Sequence, residues 1–69
     1  MYAKVQLRFA GGFAYEDAWI PAEHAQIGHS ISVVDGEKVW GCTVMIIYPL
    51  LLQSNPTLGE KQYKEVIPF

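Results

Sequence analysis

The stretch that decides the fold is Tyr2–Phe9, "YAKVQLRF". Ala3, Val5, Leu7 and Phe9 alternate with Tyr2, Lys4, Gln6 and Arg8. A period of two puts one set on each face of an extended chain. The segment therefore reads as a half-buried strand, apolar set inward. "AGG" (Ala10–Gly12) follows, and glycines supply the positive φ of a tight hairpin. Phe13–Ile20 reads as the return strand. Neither of its faces is purely apolar, so Ala14, Ala18 and Ile20 are expected inward, with an irregularity at Glu16–Asp17.

Pro21 cannot donate to a sheet ladder but suits a helix start. "PAEHAQIG" is expected to form a short helical turn over 21–27, closed by Gly28. His29–Val34 reads as a third strand. "DGEK" (Asp35–Lys38) is a hairpin turn, because Asp-Gly favours the required geometry. Val39–Tyr48 is a fourth strand, rich in β-branched and aromatic residues. Trp40, Cys42, Val44 and Ile46 share one of its faces; Val39, Met45 and Ile47 share the other. Beyond Pro49, two readings compete. "TLGE" (Thr57–Glu60) has capping-box spacing, which predicts a short helix from Leu58 to about Glu65. Alternatively "YKEVIPF" is extended and completes a barrel. The expected fold is one mainly β domain over residues 1–69. It is a small antiparallel curled sheet or SH3-like barrel of four or five strands.

Such a short chain buries only about 60% of the surface its unfolded form exposes. With one cysteine, Cys42, it has no internal disulfide. An unpaired thiol points to a reducing compartment. "MYAKVQLRF" has no uninterrupted apolar run of signal length. The longest apolar run, "VMIIYPLLL" (Val44–Leu52), falls short of the roughly twenty residues of a membrane helix. A soluble, cytoplasmic protein is expected.

Five Lys and Arg stand against seven Asp and Glu, a net charge of −2. That is the wrong sign for a phosphate-binding footprint. His24 and His29 are five apart across Gly28, which does not give the i, i+4 spacing of paired helical metal ligands. A structural zinc needs four ligands, and no such set is present. Cys42 lies mid-strand in "WGCTV", the setting of an inert thiol. Adjacent Glu16 and Asp17 diverge to opposite faces of a strand. No catalytic residue, metal or cofactor is expected.

The aromatics outnumber what so small a core can hold. Tyr, Trp and Met are favoured at interfaces. The expected protein-binding surface comprises Tyr2, Tyr15, Trp19, Trp40 and Met45, with Glu16, Asp17 and Glu23 as a polar rim. Self-association through it is a further expectation. The alternative is stacking of single-stranded nucleic acid on a barrel face, for which only Lys4, Arg8 and Lys38 offer nearby cations.

The run "WIPAEHAQIGHSISV…DGEKVWGCTV" resembles short accessory proteins encoded in bacteriophage genomes. These carry a Trp/Phe-Ile-Pro-Ala element, a Gly, then a hairpin with alternating Val. The resemblance covers residues 18–48, and Trp40-Gly41 stands in the reverse of the order those proteins show. It implies a protein that binds and inhibits a host protein, such as a defence nuclease, in the host cytoplasm. It assigns no residue roles.

Overall fold

The computed structural model describes residues 1–12, 14–49 and 59–68. Alternation in the first stretch does produce a strand, β1 (Tyr2–Phe9). It is followed by β2 (Tyr15–Pro21), β3 (Ser30–Asp35), β4 (Lys38–Ile47) and β5 (Val66–Pro68). All neighbours are antiparallel, in the order β2-β1-β4-β3-β5. The sheet is open. It is not the closed SH3-like barrel that the strand count had suggested.

The β1–β2 hairpin turns through Ala10–Gly12, with Gly11 at φ 79°. The Phe9 N–H donates to the Ala14 carbonyl at 3.2 Å. Ala14, expected inward, is exposed because it closes this turn. Ala3, Val5 and Leu7 pair with Ile20, Ala18 and Glu16, so these six share the inner face. Ile31, Val33, Cys42, Val44 and Tyr63 complete the buried cluster.

A bulge resets β4. Gln6 pairs with Ile46 but Leu7 pairs with Val44, so Met45 is the extra residue. One extra residue reverses the alternation beyond it. Cys42 and Val44 face inward before the bulge, while Ile47 packs on the core after it and Ile46 is left 44% exposed. The expected face Trp40–Cys42–Val44–Ile46 is therefore broken at Ile46.

The corner after β2 is shorter than the helical turn expected over 21–27. Pro21 still pairs with Tyr2 as the last residue of β2, and only Ala22–His24 form a single 3-10 turn. Gly28 takes φ 86° and donates its N–H to the Val44 carbonyl at 2.8 Å. A side chain at that φ is strained, which explains the glycine.

The expected helix at Leu58–Glu65 does not form over its described part. Gly59 and Glu60 turn, and the chain then runs extended. The same segment reaches both edges of the sheet. At one edge, the Trp19 N–H donates to the Lys61 carbonyl at 2.9 Å and the Tyr63 N–H to the Trp19 carbonyl at 2.8 Å. At the other, the Val34 N–H donates to the Glu65 carbonyl at 3.1 Å and β5 pairs with β3. The extended reading thus holds, although one bridge at Gln62 does not close a barrel.

Candidate functional site

A cleft of about 430 Å³ opens at one end of the inner face of the sheet. Its near wall is the β1–β2 turn, made of small residues: Ala10, Gly11, Gly12 and Ala14. Trp40 and Asp35 come from the β3–β4 hairpin, and Lys61 and Tyr63 from the C-terminal segment. Gly36, at φ 64°, makes the two-residue turn that brings Asp35 and Lys38 together. Glu16 sits on the inner face opposite Leu7 and marks the floor.

The polar groups of the cleft are tied across it. The Tyr63 hydroxyl donates to Glu16 Oε1 at 2.5 Å. Burial, then this bond, then the charges of Glu16 and Asp35 push the Tyr63 hydroxyl well above the usual phenol range. Lys61 Nζ lies 3.1 Å from Asp35 Oδ2 and 5.0 Å from the Tyr63 ring centroid. Lys38 Nζ lies 5.8 Å from the Trp40 ring centroid. Beneath the cleft, burial first and the Glu16 charge second push the Cys42 thiol up to about 11. At neutral pH it is protonated, so it offers no thiolate nucleophile.

The residues expected to form one binding surface are divided. Glu16 and Trp40 meet in the cleft. Tyr2 and Glu23 lie together at a second hollow of about 400 Å³, with Met1, Pro21 and Ala22. Asp17 and Tyr15 belong to the outer face, where Tyr15 is 54% exposed. There the Tyr48 hydroxyl donates to Asp17 Oδ1 at 2.7 Å, and Lys4 pairs with Glu60 at 2.7 Å. Met45 is the half-buried bulge residue.

Trp19 cannot be a presented residue: it is 1% exposed. Its backbone is clamped by the Lys61–Tyr63 segment, a contact that strand alternation does not foretell. Sequence reasoning also missed Tyr63, Lys61, Asp35 and Phe9 as cleft residues. One signal was present for Tyr63. It is the only aromatic among Glu60, Lys61, Lys64 and Glu65, and an aromatic ring carries the largest apolar area that such a run can bury.

His24 is partly buried, its Nε2 3.8 Å from Glu23 Oε1. Among the described residues, no three of His, Cys, Asp and Glu gather as a metal cage. No helix among them is long and apolar enough to cross a membrane. Comparison with protein-family models, curated proteins and solved structures gives no match.

Proposed function

We propose that this chain is a non-enzymatic protein-binding module whose contact surface is the mouth of the cleft around Trp40. The supporting observation is Trp40 itself, 45% exposed at the rim of a cleft walled by small residues. A tryptophan beside a hollow is the residue type that carries most energy in protein interfaces. The resemblance to phage accessory proteins supplies a setting: the partner is a host protein, inhibited by occupation of its surface. Self-association belongs to a different patch. Val39 and Ile67, 58% and 48% exposed, lie on the outer face beside Val34.

The test is affinity capture from a bacterial lysate, comparing the wild-type chain with Trp40→Ala. A partner retained by the first and lost by the second is expected. Equal retention by both removes Trp40 from the interface. Retained nucleic acid that falls away steeply with salt would favour the single-strand-binding alternative.

A further inference from the structure

Resting on the protein-binding reading, we infer that the cleft receives a guanidinium, the side chain of an arginine presented by the partner, between the Glu16 carboxylate and the Trp40 ring. Glu16 is the cleft carboxylate with unused capacity. Oε1 accepts the Tyr63 hydroxyl, and a carboxylate offers about four acceptor sites over its two oxygens. Among the described residues, no cation pairs with Glu16, whereas Asp35 holds Lys61 and Lys4 is held by Glu60.

The cleft also displays the chemistry it selects. Lys61 places an ammonium between a carboxylate, Asp35, and an aromatic face, Tyr63. Lys38 sets a second ammonium over the Trp40 ring. Both ammonium groups reach water: the Lys61 side chain is 39% exposed and Lys38 is exposed. Glu16 and Trp40 repeat the same pair of groups with the carboxylate unpaired. The opposite wall leaves room: a Cβ at Gly11 would meet nothing within 4 Å, and one at Gly12 only the Ala14 nitrogen at 3.8 Å. A planar guanidinium can stack on a ring and donate to a carboxylate at once, which a compact ammonium does less well. One such contact is weak alone, so selectivity needs the rest of a protein partner.

The experiment is an NMR titration of the full chain with the capped peptide acetyl-Gly-Arg-Gly-amide. Its citrulline counterpart has the same shape and no charge. Saturable shifts at the Trp40 indole N–H and the Glu16 amide are expected with arginine. Binding about tenfold weaker is expected for citrulline, for Glu16→Gln and for Trp40→Ala. Glu16→Gln keeps an oxygen acceptor for Tyr63, and its spectrum reports whether the fold is retained. Lys61→Ala, which removes a competing cation, is expected to tighten binding. Equal binding of citrulline, unchanged binding by the two folded variants, or shifts away from the cleft would each overturn the inference. A Trp40-dependent partner captured while the arginine peptide fails leaves the protein-binding reading intact and removes only the guanidinium.

Discussion

The Tyr63 hydroxyl reaches Glu16 across 47 positions of sequence and fastens the C-terminal segment over the inner face of the sheet. Two parts of one side chain act here: the ring fills the core at 4% exposure, and the hydroxyl donates to one oxygen of a carboxylate. Tyr63→Phe keeps the ring and deletes the bond. It is expected to cost about 1.5–3 kcal/mol in urea unfolding, the range for hydrogen bonds to charged groups. Tyr63→Ala also leaves a cavity, with an expected cost of about 3–5 kcal/mol. In the alanine variant, hydrogen exchange at the Trp19 and Val34 amides should rise first, because both bond to the released segment.

Alkaline pH is expected to destabilise the fold. The Cys42 thiol is raised by burial from its ordinary 9.0 to about 11. Below about 9 it is protonated in both the folded and unfolded chain, so it contributes no difference. Between 9 and 11 only the unfolded chain ionises. Stability is therefore full below that window and falls as pH climbs through it, by about 2–3 kcal/mol. Tyr63, also raised, extends the loss above its ordinary 10.0. Urea midpoints across this pH range should decline for the wild type. They should decline less for Cys42→Ala and least when Tyr63→Phe is added.

The bulge at Met45 predicts opposite tolerances at adjacent positions. Ile46→Ser, on the exposed side, should change stability by less than about 0.5 kcal/mol. Ile47→Ser, which packs on the core, should cost about 1–3 kcal/mol. Simple alternation from Val44 would assign these effects the other way round. Thermal melts of the two variants decide the matter.

The two tryptophans should behave as independent reporters. Trp19 is sealed and Trp40 is open to solvent. Acrylamide is expected to quench only part of the wild-type emission, and Trp40→Phe should leave a blue-shifted, protected remainder. The Trp19 indole Nε1 is buried with no hydrogen-bond partner among the described residues, which costs about 1–3 kcal/mol. Trp19→Phe removes that donor, so its measured cost should fall below that of a tryptophan deletion at a fully satisfied site.

Local pattern made β1 and the β3–β4 hairpin legible, because alternation and an Asp-Gly turn act within a few residues. The inward side of β2 was legible at Ala18 and Ile20; the burial of Trp19 and the last part of β4 were not. Trp19 bonds through its backbone to a segment more than forty positions away, and Ile46 is turned outward by a bulge with no marker of its own. The helix expected near Glu60 shows the same limit: a capping-box pattern is local, and pairing with two strand edges overrode it. The cleft was half visible. Glu16 and Trp40 were singled out from chemistry, but their neighbours Lys61 and Tyr63 come from a segment whose course depended on tertiary contacts.

That edge-spanning segment also orders events during synthesis. A nascent chain that has emerged only as far as Ile47 has four strands and two unprotected edges. Its β2 and β3 still lack the carbonyl and amide partners supplied by Lys61–Glu65. Exposed edges of this kind recruit other strands. A segment that emerges later, Lys61–Pro68, is thus the one that shields both margins, and the interval before it arrives is when copies of this chain are most prone to pair wrongly with one another.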